Sequence, residues 1–182
     1  GVGWQAAEYS ALGLEYADRW RLLDDTMLAC RRLWADAPAS FSAPSVTFGD
    51  IYCVPQPVQQ RLPIWLGAAA TPASARRIAA YCDGWFPLTA TKPQDVAAGA
   101  DLIGEAMVAA GRDPATLGIR VALTLERNRK GSIDGPAMRA SIDALAEVGV
   151  TLVWVVIGPH TGLSSMSEIA SFTDQVVDVA RA

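Results

Sequence analysis

Pro63-Ile64-Trp65-Leu66-Gly67-Ala68-Ala69-Ala70-Thr71-Pro72-Ala73-Ser74-Ala75-Arg76-Arg77 is the stretch on which the fold turns. It reads as a buried strand, a tight turn of small residues, and a helix opening on a capping threonine and a proline. Thr71 suits an N-cap, and Pro72 suits the first helical turn. The N–H groups left free at such a helix start form a seat for an anion, above all a phosphate. An ordinary strand-to-helix connection of an α/β protein reads the same way.

Outward from this stretch the chain alternates. Gly1–Gly3 reads as the tail of a strand turning at glycine. Leu14, Ala17, Trp20, Leu23, Met27, Cys30, Leu33 and Trp34 recur at three- and four-residue steps, which predicts an amphipathic helix over 14–34. Its charges, Asp18, Arg21, Asp24, Asp25, Arg31 and Arg32, read as a solvated face. Residues 38–61 change character: Pro38, Pro44, Pro55 and Pro57 interrupt β-prone pieces at 45–48 and 51–54. This predicts an insertion, a small hairpin followed by an extended segment, of the kind that covers ligands.

After the opening stretch, with its strand at 64–67 and helix at 72–82, Asp83-Gly84-Trp85-Phe86-Pro87 reads as a turn into another buried strand. A helix is predicted at 93–110, stopped by Gly111, and a strand buried on both faces at 119–126. A helix at 136–148, the most apolar strand at 150–157 and a terminal helix at 166–180 complete the chain. Strict alternation of this kind implies right-handed βαβ units around a parallel sheet. A small doubly wound sheet and most of a (β/α)₈ barrel both satisfy it. No GxGxxG follows any strand, which weighs against a dinucleotide-binding sheet.

The 182 residues are 51% hydrophobic with mean hydropathy +0.21, which suits one domain with a sizeable core. The net charge of −4 and the lack of a basic block weigh against nucleic acid as a partner. No run of about 18 apolar residues is long enough to span a bilayer. No signal peptide is visible, and the chain opens without methionine. Cys30, Cys53 and Cys82 share no metal-like spacing and fit thiols in a reducing compartment. The expected address is the cytoplasm, with no metal.

Gly1-Val2-Gly3-Trp4, Glu8 and Gly13, Arg21 with Asp25, Leu33-Trp34, Pro55-Gln56-Pro57-Val58-Gln59, Pro63–Gly67 and Asp83–Pro87 together resemble the bacterial luciferase-like monooxygenase family, in particular its coenzyme F420-dependent oxidoreductase branch. The resemblance runs the length of the chain. It implies a (β/α)₈ TIM barrel present in part, as strands four to eight, with Gly1–Trp4 ending the fourth and the first three lying before Gly1. It also implies FMN or F420 at the C-terminal mouth of the barrel, held by Gly1, Gly3, Trp4, Gly67, Ala68 and Ala69, and a small-molecule substrate. Relatives commonly carry a second glycine where this chain has Ala68.

Trp4 is expected to pack or stack there, or to sit at the edge of the core. Arg76 and Arg77 either reach a phosphate or, the favoured reading, pair with Asp83. His160, after the last strand, and Glu126, near the end of the one before, are the candidate catalytic residues; each reads equally as a surface group. The implied reaction is hydride transfer through a reduced flavin or deazaflavin. Exposed strand edges imply weak catalysis by this piece alone and a homo-oligomer. The alternative is a non-catalytic flavin-binding or oligomerising member.

Overall fold

The computed structural model describes residues 1–88, 92–158 and 162–177. A short helix α1 (Ala6–Ala11) leads through a tight turn at Tyr16–Asp18 into α2 (Arg19–Ala35). A hairpin of β1 (Ala39–Ala43) and β2 (Val46–Ile51) follows. Then come β3 (Trp65–Gly67), α3 (Pro72–Tyr81), β4 (Gly84–Phe86), α4 (Pro93–Ala109), β5 (Gly118–Ala122), α5 (Gly135–Glu147), β6 (Leu152–Trp154) and α6 (Met166–Phe172). A wider π-type turn over Thr173–Val177 continues α6. The end of the predicted terminal helix, 178–180, lies outside the described residues.

The main sheet has four strands in the order β3-β4-β5-β6, every neighbouring pair parallel. Its register decides which side chains meet. Leu66 pairs with Trp85 and Trp85 with Ile119, so these residues point to one face together. All of them are buried, as are Val121 and Leu123 on the same face of the β5 segment. Ile78, Val96, Ile103, Met107, Met138 and Leu145 cover them from α3, α4 and α5. Removing a side chain of this size from water stabilises the fold by about 1.5–3 kcal/mol each.

One helix contact depends on a glycine. A Cβ at Gly99 of α4 would lie 3.0 Å from Trp85 Cζ2 and from Ala70 Cβ, and closer still to Trp85 Cη2. The missing side chain is the notch that admits the buried indole.

The opposite face of the sheet is open. Trp65 lies across it: a Cβ at Gly84 would be 2.7 Å from its Cε2, and one at Gly118 2.8 Å from its Cζ2. Trp65 remains 39% and Leu152 46% exposed. The prediction of a strand buried on both faces at 119–126 is thereby corrected. β5 alternates, with Ile119 and Val121 buried and Arg120 exposed between them, because helices cover one side of the sheet only.

Other boundaries also move. Gly1–Gly3 carries no strand pairing, yet it runs beside the end of β3, where a Cβ on Gly1 would meet the Gly67 carbonyl oxygen at 3.1 Å. The predicted helix over 14–34 begins at Arg19, after Gly13 at φ +68°. The hairpin turns at Pro44-Ser45, with Phe41 opposite Phe48 and their rings 6.1 Å apart.

Asp25 fixes that turn. It accepts the Ser45 N–H at 3.1 Å and hydroxyl at 2.6 Å, so this carboxylate is buried rather than part of a solvated face. β6 is shorter than 150–157 because Val150 N–H closes the end of α5 on Leu145 O (3.1 Å), while Ile157 bridges to Leu163.

Candidate functional site

The turn after β3 is held from below. The Ala68 N–H donates to Phe86 O at 3.1 Å, and the buried indole N–H of Trp85 donates to Ala68 O at 2.9 Å. Ala68 is 4% exposed and its backbone stays out of the left-handed region. An alanine therefore fits this turn without the conformational freedom that only glycine supplies cheaply.

Helix α3 starts at the same end of the sheet, and its first turn is largely satisfied internally. Thr71 and Ser74 form a reciprocal capping box: Ser74 N–H donates to Thr71 Oγ1 at 3.2 Å, and Thr71 N–H to Ser74 Oγ at 2.9 Å. Ala75 N–H bonds Thr71 O at 2.8 Å, and Pro72 has no N–H. Among the described residues, the Ala73 N–H is the donor of this turn left with no acceptor. The anion seat expected here is narrower than a bare helix start.

A cavity of about 670 Å³ opens over this turn. Gly1, Gly3, Trp4, Gly67, Ala68 and Ala69 all line it, so segments more than sixty positions apart in sequence meet at one wall. Tyr9 holds the N-terminal segment through its hydroxyl to Val2 O, and Tyr16 through its own to Trp4 O at 3.3 Å. Trp4 is 80% exposed at the rim, which removes the reading of a core-edge tryptophan.

The polar wall comes from α2 and α3. Arg77 lines the cavity with its guanidinium 4.6 Å over the ring of Trp20, another lining residue. Its Nε donates to Asp24 Oδ1 at 2.8 Å, and the Tyr81 hydroxyl donates to the same oxygen at 2.7 Å. Burial, together with the bond to Asp24, pushes the Tyr81 phenol far above its usual range. Arg77 is thus held by Asp24, not by Asp83. No local pattern signals this pairing, since its partners lie on different helices. Trp20 was legible only as part of an apolar stripe.

Asp83 is engaged at the other end of the sheet, before β4. It accepts from Arg61 Nε at 2.6 Å, from Ile64 N–H at 2.8 Å and from Arg31. Burial pushes its carboxyl up, but these donors outweigh burial and hold it below the usual aspartate range. Arg31 also donates to Leu62 O at 2.6 Å and Tyr81 O at 2.8 Å. This cluster ties α2 and the end of α3 to the sheet, and Arg76 is exposed outside it.

Of the two candidate catalytic residues, the structure describes Glu126 alone, and it does not line the cavity. Glu126 is exposed in the connection from β5 to α5, outside the lining; its N–H rests on Met138 Sδ at 3.0 Å. His160 lies outside the described residues. The thiols are free, and Cys82, fully buried, is pushed up to about 12 by desolvation and the neighbouring Asp83. Among the described residues, no helix is long and apolar enough to cross a membrane.

Comparison with known proteins places this geometry. A sequence model of the family described as luciferase-like monooxygenase matches residues 1–129. An uncharacterized protein of Mycobacterium tuberculosis is 33% identical over 113 residues, covering 62% of this chain and 39% of the relative. This chain therefore spans well under half of that protein. The crystal structure of monooxygenase RslO1 from Streptomyces bottropensis superposes with a TM-score of 0.78 at 19% identity, over 99% of this chain and 67% of that one.

The coenzyme F420 dependent tetrahydromethanopterin reductase from Methanopyrus kandleri superposes at 0.69 and 14% identity, over 91% and 64%. At these identities the superpositions speak to the fold alone: four parallel strands with their helices are part of a luciferase-like (β/α)₈ barrel. With the sequence match covering most of its length, the chain belongs to the luciferase-like monooxygenase family.

Proposed function

We propose that this chain carries the cofactor-binding part of a flavin- or F420-dependent oxidoreductase, in which a reduced flavin or deazaflavin passes hydride to or from a small-molecule substrate. The cavity over the β3–α3 turn carries this reading. Its volume of about 670 Å³ lies within the range of roughly 300–1,000 Å³ usual for small-ligand sites. It opens beyond the C-terminal end of a barrel strand, where active sites of this fold gather.

The residues fit such a group. Gly1, Gly3 and Gly67 present bare backbone, against which a flat ring can lie, and Trp4 and Trp20 add aromatic surface. The Ala73 N–H and Arg77 are the donors offered to an anionic end of the ligand. Asp24 fixes Arg77, and Trp85 fixes the Ala68 carbonyl, so both sides are set before a ligand arrives.

When bound, the cofactor supplies the hydride chemistry. The chain's own residues bind it, orient it and shield one side of it. Water is excluded only where side chains cover the ring, and the open inner face of the sheet leaves that incomplete. The 182-residue chain by itself therefore binds cofactor but turns over slowly.

The test is titration of the chain with FMN and with F420, followed by tryptophan quenching. Saturable binding of one of them is expected, with Gly67→Ala weakening it by about tenfold or more, which is 1.4 kcal/mol. The variant is expected to fold, because a Cβ at Gly67 makes ordinary contacts of 3.4 Å with Phe86 Cδ1 and 3.5 Å with Leu88 Cδ2. Saturation by neither compound overturns the reading.

A further inference from the structure

Ala73, Arg77 and Tyr81 follow one another at four-residue steps on α3 and so share one face of that helix. Trp20 and Asp24, at the same step on α2, meet that face. The contacts interlock. The Arg77 guanidinium carbon lies 4.6 Å over the Trp20 ring, its Nε donates to Asp24 Oδ1 at 2.8 Å, and the Tyr81 hydroxyl donates to that same oxygen at 2.7 Å. Ala73, Arg77 and Trp20 line the cavity, whereas Asp24 and Tyr81 stand behind them, outside the lining. All five belong to two helices of this chain, and none stands on the open inner face of the sheet.

This row decides where Arg77 points. Long helical side chains lean back toward the helix N-terminus, and Arg77 Nη1 accordingly lies 3.4 Å from Ala73 O, in the first turn of α3. Among the described residues its Nη2 has no acceptor. Nη2 and the Ala73 N–H are therefore two donors held at the same end of one helix. Asp24 can hold Nε only as firmly as it is held itself, and its side chain is 31% exposed. Tyr81 supplies that hold. It is buried, and burial together with Asp24 keeps its phenol protonated, so it remains a donor throughout the neutral range.

We propose that Tyr81 is a positioning residue for phosphate recognition: through Asp24 it sets Arg77, which with the Ala73 N–H tells a phosphorylated flavin or deazaflavin from the same ring without its phosphate. A free arginine gives up rotamer freedom when it grips an anion. One already fixed at its Nε edge and against a ring face gives up less. The charge-assisted bonds it then makes to phosphate are stronger than neutral ones. The ring of the ligand is left to Gly1, Gly3 and Gly67 on the other wall, so Tyr81 bears on the phosphate alone. This deepens the proposed function and rests on it, since it takes the cavity as the cofactor's place.

The experiment is fluorescence titration of the chain with two matched pairs: FMN and riboflavin, and F420 and its deazariboflavin core without the phosphodiester. For the cofactor the chain binds, the ratio of the two Kd values is read. The wild type is expected to prefer the phosphorylated member by about tenfold or more. Tyr81→Phe changes no charge at neutral pH and is expected to cut that preference about threefold to tenfold. The Kd of the unphosphorylated ring should stay as in the wild type, which also reports that the variant folds. Asp24→Ala is the second variant. It removes a negative charge beside the seat, which by charge alone would tighten a phosphate; with Arg77 released, the preference is expected to fall instead.

An undiminished preference in Tyr81→Phe overturns the proposal. So does equal weakening of both members of the pair, which is what a merely structural role would give, or a raised preference in Asp24→Ala. A wild type that binds both members equally refutes the phosphate seat while leaving the cavity as a ring site. A wild type that binds neither FMN nor F420 refutes the function on which the proposal rests.

Discussion

Gly99→Ala tests the packing that supports the site turn. In an ordinary helix interior this change stabilises, because alanine exceeds glycine in helix propensity by about 1 kcal/mol. At position 99 the new methyl meets Trp85, 3.0 Å from Cζ2 and closer to Cη2, and Ala70 Cβ at 3.0 Å. The indole has no room to yield: it is fully buried, and swinging it away would break its hydrogen bond to Ala68 O. Leaving that buried carbonyl unpaired costs about 1–3 kcal/mol.

Overpacking of this kind costs about 1–3 kcal/mol. A rigid ring pinned at both ends puts this case near the upper end. Set against the propensity gain, the net loss is about 2 kcal/mol, or roughly 4–8 °C in Tm for a chain of this size. Gly104→Ala in the same helix is the control, since its Cβ would meet Pro114 Cβ at an ordinary 3.6 Å. That variant should gain about 0.5–1 kcal/mol. Urea denaturation with an unchanged m-value reads both. A Gly99→Ala chain as stable as the wild type would refute the pinned indole and with it the rigidity claimed for the Ala68 turn.

Thr71→Ala removes one side of the capping box on α3 and should cost about 1 kcal/mol, read as a lower urea midpoint at constant m-value. Asp83→Asn loses the charge that holds Arg61 and Arg31 and should cost about 1–3 kcal/mol at pH 7. Because the folded-state pKa of Asp83 is depressed, its contribution is fully present above the ordinary aspartate pKa. It is lost as pH falls through the folded value. The gap between wild type and Asp83→Asn should therefore close on acidification, and a gap independent of pH would contradict the assignment.

The parts of the fold legible in the sequence are those written in local pattern. Thr71-Pro72 marks the start of α3, where it begins. The alternation of apolar runs and amphipathic stretches yields β3 to β6 and α3 to α5 in order. The glycines at 1, 3 and 67 and the alanines at 68 and 69, drawn together by a family resemblance, do line one cavity.

What escaped the sequence depends on distant partners. The hairpin register follows from Asp25 reaching Ser45, and a carboxylate in an amphipathic helix looks like surface until its partner is known. Arg77 was assigned to Asp83, which closes its own helix, but Asp24 reaches it from α2. The reach of Trp65 over Gly84 and Gly118, and of Trp85 into Gly99, is a matter of volume across strands and helices. Periodicity carries no volume. β5 read as doubly buried because its run is apolar, while Arg120 in its middle already marked the uncovered face.

A crystal structure of the chain with FMN or F420 tests the central claim most directly. The account predicts ring density in the cavity between Gly67–Ala69 and Gly1–Trp4, with the anionic end toward Ala73 and Arg77. Density elsewhere on the molecule, with this cavity empty at saturating cofactor, would contradict it.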